Sequence, residues 1–379
     1  MPGFPPRSWG RPRVEVVAAE PTALQVTWVG LEPGGLRVRL ECDGRPPRVL
    51  DVESDGGPGG LVVDDLMPDT THTVRIGDRS VELRTPAPPP GEELLRLGTV
   101  SDIHLGHPGV GVLHTMRERD DPEVPHPLRC ARAAIHEAGA WGAEMLVVKG
   151  DLVEEGHPEQ WAEADRLLAS APMPVAFVPG NHEVRRDRSM DHPAALAEGR
   201  VEVVQGVAHH DLPGVRLVLV NTTIDGRGHG AVRHLVEEVV DVVAGTDLPV
   251  LLAMHHYAQR FHLPWFWPPG IPGGEARHLL DALAGANRRC LVTSGHTHRN
   301  RVRRHGPLVV TEVGSTKDFP GVWGGYAVHE GGILQSVRRT LDPSAMRWTE
   351  YTRRAVGGIW GKWAMGALED RCISHTWPT

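Results

Sequence analysis

Five short apolar runs in this 379-residue chain each end on a narrow set of polar residues: aspartate, asparagine or histidine. Leu95-Arg96-Leu97-Gly98-Thr99-Val100 leads into Ser101-Asp102-Ile103-His104, and Glu144-Met145-Leu146-Val147-Val148-Lys149 into Gly150-Asp151. Pro174-Val175-Ala176-Phe177-Val178-Pro179 leads into Gly180-Asn181-His182-Glu183, and Pro249-Val250-Leu251-Leu252-Ala253-Met254 into His255-His256. Cys290-Leu291-Val292-Thr293 leads into Ser294-Gly295-His296-Thr297-His298. Short apolar runs separated by amphipathic segments read as buried, largely parallel strands joined by crossover helices. Parallel strands put their carboxyl ends on one sheet edge, where open α/β sheets build metal and ligand sites. The pattern therefore predicts an α/β fold whose strand tips converge.

The residue types at those tips suit metal ions. Three imidazole or carboxylate ligands per ion, with open positions, are typical of catalytic sites, and a carboxylate is well suited to bridging two cations. Two ions about 3.5–4 Å apart stabilise both the attacking and the leaving oxygen of a phosphate ester, and bring a bridging water to hydroxide near neutral pH. This chemistry predicts phosphoester hydrolysis.

The ordered set Asp102-x-His104, Gly150-Asp151, Gly180-Asn181-His182-Glu183, His255-His256 and Gly295-His296-Thr297-His298 resembles the calcineurin-like metallophosphoesterases over residues 95–335. The resemblance implies a four-layer α/β/β/α sandwich and two divalent ions (Mn, Fe or Zn). It implies that one ion is held by Asp102, His104, Asp151 and His298, and the other by Asp151, Asn181, His255 and His296, with Asp151 as the bridge. It also implies that His182 contacts the phosphate and protonates the leaving oxygen; Glu183, next in sequence, is expected to orient neighbouring ligands.

Departures narrow the choice within that family. Purple acid phosphatases carry a tyrosine three residues after the bridging aspartate, where this chain has Glu154, so a coloured Fe(III)–tyrosinate centre is not expected. Protein phosphatases carry Gly-Asp-x-x-Asp-Arg-Gly, whereas this stretch reads Gly150-Asp151-Leu152-Val153-Glu154-Glu155-Gly156. Leu217-Val218-Leu219-Val220-Asn221-Thr222-Thr223 followed by Gly228-His229-Gly230 is similar to the class III cyclic-nucleotide and glycerophosphodiester phosphodiesterases. Those enzymes have Asp-Thr at the strand end and His-His-Pro-Pro further on; here the residues are Asn221-Thr222 and His255-His256-Tyr257-Ala258.

A net charge of −8 argues against a duplex nucleic-acid binder, which presents a basic face. Cys42, Cys130, Cys290 and Cys372 are scattered, as expected of reduced packing residues in a cytoplasmic protein. The sequence contains neither an apolar leader at its start nor an apolar run long enough to span a bilayer.

Three segments are expected. Residues 1–92 comprise a β-sandwich and a Pro-rich linker, Thr85-Pro86-Ala87-Pro88-Pro89-Pro90-Gly91; residues 93–340 form the catalytic domain; residues 341–379 form a Trp-rich tail. In the first, Ala23-Leu24-Gln25-Val26-Thr27-Trp28, Gly35-Leu36-Arg37-Val38-Arg39-Leu40 and Thr71-His72-Thr73-Val74-Arg75-Ile76 alternate apolar with polar residues, as half-buried strands do. Trp28 and the segment Leu66-Met67-Pro68-Asp69-Thr70-Thr71-His72 resemble a fibronectin type III domain, with His72 standing where that family has a corner tyrosine. Residues 128–141, 158–170, 231–244 and 275–284 read as crossover helices.

Other residues are candidate substrate contacts. His256 is either a ligand alternative to His255, a supporting residue or a substrate-facing one. The aromatic stretch after it places Trp265 and Trp267 where they could stack on a base or cover an apolar group. Arg299 opens the basic run 299–304, which could clamp phosphate or form a solvated hairpin face. His107, His114 and His126 lie in a Pro-rich loop, and one of them could face substrate. The tail could dock on the core, pair protomers into a homodimer or lie on a membrane. The leading reading is a two-metal hydrolase of a small phosphodiester or phosphomonoester. The alternatives are a metal-dependent nuclease and a scaffold protein that binds through its β-sandwich.

Overall fold

The computed structural model describes residues 9–107, 109–111, 115–118, 123–184, 195–261 and 267–378. Its first part is all β: β1 (Arg13–Ala19), β2 (Leu24–Val29), β3 (Gly34–Cys42), β4 (Arg48–Ser54), β5 (Gly59–Val63), β6 (Thr71–Ile76) and β7 (Arg79–Arg84). These form an antiparallel sheet ordered β1-β2-β5 and another ordered β4-β3-β6-β7. Alternation along β6 turns His72, Val74 and Ile76 inward. Trp28, Val38, Leu40, Val74 and Ile76 share one core. His72 Nε2 donates to the Met67 carbonyl at 3.2 Å, tying the strand to the turn before it.

The rest of the chain is built from two larger sheets. Its elements are β8 (Glu93–Val100), α1 (His126–Ala140), β9 (Met145–Lys149), α2 (Pro158–Ala169), β10 (Val175–Val178), β11 (Ala195–Leu196), β12 (Val201–Val203), β13 (Val207–Leu212) and β14 (Val215–Val220). Then come α3 (Val236–Ala244), β15 (Val250–Met254), α4 (Gly273–Ala286), β16 (Cys290–Ser294), β17 (Arg301–His305), β18 (Leu308–Glu312), β19 (Val322–His329) and β20 (Gly332–Arg339). The tail supplies α5 (Pro343–Thr352), α6 (Ile359–Trp363), α7 (Leu368–Arg371) and β21 (Cys372–Thr376). One sheet runs β11-β12-β10-β9-β8-β19-β20-β21 and the other β13-β14-β15-β16-β18-β17.

The strands that carry the site are parallel: β8, β9 and β10 in the first sheet, and β14, β15, β16 and β18 in the second. They are apolar throughout because both of their faces are covered. Leu97, Val147, Ala176, Leu219, Leu251 and Leu291 fill the space between the sheets. Helices α1 and α2 cover the outer face of the eight-stranded sheet, and α3 and α4 that of the six-stranded one. The result is the four-layer α/β/β/α sandwich.

The crossover helices differ from expectation at one end. Residues 231–235 are not helical, and α3 starts only at Val236. The amide of Ala231 bonds to the Thr222 carbonyl, and those of Val232 and Arg233 bond to the Glu275 carboxylate, which holds this turn against neighbouring loops.

The tail docks on the core. Trp348 of α5 is fully buried and stacks on His126 at 4.0 Å, while β21 adds antiparallel to β20 at the sheet edge. The β-sandwich bears on the same region. The Gln25 side chain donates to the Arg339 carbonyl and accepts from its amide, both at 2.8 Å, and Glu20 pairs with Arg338 at 2.6 Å. All four cysteines are free thiols. Among the described residues, no helix is long and apolar enough to cross a membrane.

Candidate metal centre

The strand tips reach the site through backbone that most residues avoid. Asp102, His104, Asp151, His296 and His298 all have left-handed φ, between 52° and 70°. Such conformations cost on the order of 1–3 kcal/mol each and persist only where surrounding bonds over-determine them. Those bonds are present. Asp102 and His104 donate their amides to the carbonyls of Gly150 and Asp151 at 3.0 and 2.8 Å, and Gly295 donates to His255 at 3.0 Å. The Glu183 carboxylate collects the amides of Gly180, Asp151 and Val153 at 2.6, 2.9 and 3.0 Å, tying the second tip to the third. Burial and the nearby Asp151 carboxylate raise its pKa to about 7. Gly295 is needed for close approach, since a Cβ there would lie 2.7 Å from Ser101 Oγ and 2.8 Å from Asp102 Oδ2.

Side chains from all five tips converge around Asp151. On one side, His298 Nε2 lies 3.4 Å from Asp102 Oδ1 and 3.3 Å from His104 Nε2, which is itself 3.7 Å from Asp151 Oδ2. On the other side, His255 Nε2 lies 3.3 Å from Asp151 Oδ2, 3.2 Å from Asn181 Oδ1 and 3.1 Å from His296 Nδ1. Donor atoms of Asp102, His104 and His298 all lie within 4.8 Å of one another, as do those of Asp102, Asp151 and His255.

The imidazoles are oriented from behind, the arrangement expected of metal-binding histidines. His104 Nδ1 is 2.8 Å from Glu154, His298 Nδ1 is 2.7 Å from Asp318, and His255 Nδ1 donates to the Lys149 carbonyl at 2.8 Å. Each of these contacts turns Nε2 toward the centre. His296 is reversed: its Nε2 donates to the Pro269 carbonyl at 3.1 Å, so Nδ1 faces inward. Nitrogen lone pairs aimed at one another beside carboxylates are a donor set that fits divalent cations.

Electrostatics separate the imidazoles into neutral rings and rings that the neighbouring carboxylates keep protonated. Burial, with the Lys317 charge, holds His104 well below the usual histidine pKa, and burial does the same to His256 and His296, leaving neutral ligand-competent rings. Burial opposes charge on His255, but Asp151 outweighs it and raises the pKa to about 9. Burial also opposes charge on Glu154, yet hydrogen bonds from His104 and His182 hold its carboxyl far below the ordinary range.

His182 stands beside this cluster. Its amide donates to Asp151 Oδ1 at 2.9 Å, its Nε2 is 3.8 Å from Asp151 Oδ2, and Glu154 holds its Nδ1 at 3.1 Å. His256 is fully buried. Its Nδ1 meets Thr222 Oγ1 at 2.8 Å, its Nε2 has no hydrogen-bond partner, and its donors lie within 4.8 Å of those of His255 and His296. Trp267 is 81 % exposed, and Trp265 lies outside the described residues. Arg299 is turned toward Glu312 at 3.5 Å, with its guanidinium 4.6 Å over the Trp363 ring. His107 Nε2 is 3.8 Å from Glu154, His126 pairs with Glu118 at 3.2 Å, and His114 lies outside the described residues.

Sequence reasoning missed the positioning carboxylates Glu154 and Asp318. Glu154 had a faint signal, its place just beyond the Gly150-Asp151 turn. Asp318 had none, because it ends no apolar run and follows the last histidine block by twenty residues.

A four-layer sandwich whose parallel strand tips gather histidine, aspartate and asparagine defines a class of metal-dependent phosphoesterases. Residues 95–300, more than half of the chain, match the calcineurin-like phosphoesterase model, and the chain belongs to that family. Divalent metal ions go with that membership. The chain is 24% identical over 178 residues to a protein named as a probable cyclic nucleotide phosphodiesterase from Psychrobacter sp. (strain PRwf-1), covering 46% of this chain and 52% of the relative. It is 25% identical over 185 residues to one so named from Psychrobacter arcticus, covering 46% and 63%. The match thus spans between half and two thirds of those relatives. In fold, it is similar to a dimetal phosphatase from Danio rerio, with a TM-score of 0.51 and 14% identity over 66% of this chain and 97% of that one.

Proposed function

We propose that this protein hydrolyses small phosphate esters with two divalent ions, taking cyclic-nucleotide-like diesters first. Asp102, His104, Asp151 and His298 hold one ion, and Asp151, Asn181, His255 and His296 the other. The observation that carries this reading is the place of Asp151, whose carboxylate lies 3.7 Å from His104 Nε2 and 3.3 Å from His255 Nε2, between the two donor sets. The names of the relatives support testing cyclic nucleotides first among the diesters.

Bound ions supply Lewis acidity to the phosphate oxygens and a nucleophile at neutral pH. The chain's own residues do the rest. Buried tips fix the ligands before substrate arrives, so little reorganisation is needed during reaction. His182 keeps its Nδ1 on Glu154 and offers Nε2 as a proton donor to the leaving oxygen. The ionised Glu154 beside it stabilises the charged imidazole.

Asp151→Ala tests the assignment. It should strip both ions, abolish hydrolysis and leave the melting profile of the fold largely intact, because the residue sits at a strand tip. Metal analysis and assays of the Mn-loaded protein on a cyclic nucleotide, an aryl diester and an aryl monoester read the result. Two ions and full activity in Asp151→Ala would sink the proposal, as would a wild-type protein with two bound ions that turns over none of the three esters.

A further inference from the structure

Beyond residue 300, where the family match ends, the chain returns to this cluster once more. The loop 315–321 between β18 and β19 lies against the first strand tip: Ser315 Oγ donates to the Asp102 carbonyl at 2.9 Å, and Asp318 holds His298 Nδ1 at 2.7 Å. Between them stands Lys317, 3 % exposed. Its backbone is fixed on both sides, the amide donating to Ser315 Oγ at 3.1 Å and the carbonyl accepting from Trp348 Nε1 at 2.8 Å.

Among the described residues, the Lys317 ammonium makes no hydrogen bond. Burial pushes its pKa down, while the charges of Glu154, Asp318, Asp102 and Asp151 pull it back up, which puts it within electrostatic reach of the centre. Its charge in turn acts on His104 and His298. A lysine carries three donors, and Lys317 Nζ is not among the buried atoms left without a partner, so these donors remain open to a ligand. Glu154 is engaged by His104 and His182, while Asp318 holds His298 through Oδ2 and keeps Oδ1 without a hydrogen-bond partner. An anionic ligand would supply acceptors to the Lys317 donors.

We propose that Lys317 is a phosphate-binding residue of this site, its ammonium donating to a non-bridging oxygen of the phosphate held at the strand tips. The assignment rests on the hydrolase reading above and gives it a substrate contact that lies outside the family match. The competing role is a counter-charge that merely offsets the carboxylates. The two roles separate experimentally, because a counter-charge acts on metal retention and folding whereas a phosphate contact acts on anion affinity.

Lys317→Met keeps the length of the side chain and removes the ammonium. Inorganic phosphate would be titrated calorimetrically into Mn-loaded wild type, Lys317→Met and Lys317→Arg, with metal content and melting temperature measured in parallel. Lys317→Met should keep its ions and its melting temperature, bind phosphate about ten- to a hundredfold more weakly, and show a raised KM for a diester; Lys317→Arg should recover part of the affinity. Should Lys317→Met melt early, Lys317→Gln, which retains a neutral donor, gives the same reading. Unchanged phosphate affinity overturns the proposal, and so does loss of bound metal from the variant. Because binding is read without turnover, a phosphate effect with no hydrolysis of any ester rejects the hydrolase reading alone, and hydrolysis with equal phosphate affinity rejects Lys317 alone.

Discussion

Glu154 holds two imidazoles at once, His104 at 2.8 Å and His182 at 3.1 Å, so one carboxylate orients both a candidate ligand and the candidate proton donor. Glu154→Ala should therefore lose metal affinity by about 10–100-fold, the usual worth of a partner behind a ligating histidine, and lose rate even at saturating metal. His182→Ala should behave differently, retaining its ions while losing on the order of 10²–10⁴ in rate. A substrate whose leaving group needs no proton should suffer less in that variant. Equal losses across leaving groups, measured as kcat on a series of aryl esters, would remove the acid role from His182. The sequence made these two kinds of residue unequally visible. Asp102, Asp151 and His255 each follow an apolar run, and position along a buried strand predicts where such a residue ends up. Glu154 and Asp318 act through contacts that only the folded loops create. The reversed ring of His296 was also invisible, since its orientation depends on the Pro269 carbonyl.

At the level of elements, parallel strands were legible because burial on both faces leaves a continuous apolar run, and β15 is buried at every position. The edges were not. β17 reads as a charged run in sequence, and its side chains are exposed or partly exposed in the structure. The tail elements carried no such periodic signal, and their places are set by long-range contacts such as the pairing of β21 with β20. One of these contacts yields a pH prediction. Glu137 of α1 accepts the amides of Leu341 and Asp342 at 2.7 and 3.1 Å, joining that helix to the start of α5. Burial raises its pKa to about 7 from an unfolded value near 4.5. A carboxyl raised in this way favours the folded state while protonated. Its contribution is fully present below pH 4.5 and is lost as pH rises toward 7, at up to about 1.4 kcal/mol per pH unit. Glu137→Gln keeps the acceptor oxygen and cannot ionise. Denaturant unfolding of both proteins across this window should show the variant gaining stability relative to wild type as pH rises. A difference independent of pH would mean that Glu137 is not raised.

Across the whole molecule, the β-sandwich is coupled to the wall of the site. Val17 of β1 packs in one cluster with Phe319, next to Asp318, and with Ala364 and Met365 of the tail. Arg339, whose backbone is held by Gln25, reaches the Pro320 carbonyl at 2.8 Å and Glu350 at 2.9 Å with its side chain. Arg353 of the tail binds Glu15 at 2.7 and 2.6 Å. The sandwich, the tail and the loop 315–321 thus form one packed unit. Gln25 is 1 % exposed, so Gln25→Ala would leave the amide and the carbonyl of Arg339 buried without partners. Unsatisfied buried groups cost about 1–3 kcal/mol each, so the variant should lose roughly 2–6 kcal/mol against denaturant. If the molecule folds as a unit, that loss appears as a shift of one cooperative transition followed identically by tryptophan fluorescence and by release of bound metal. Two separated transitions, with the metal-releasing one unmoved, would show instead that the sandwich is an independent flank and that the loop beside Lys317 stands without it.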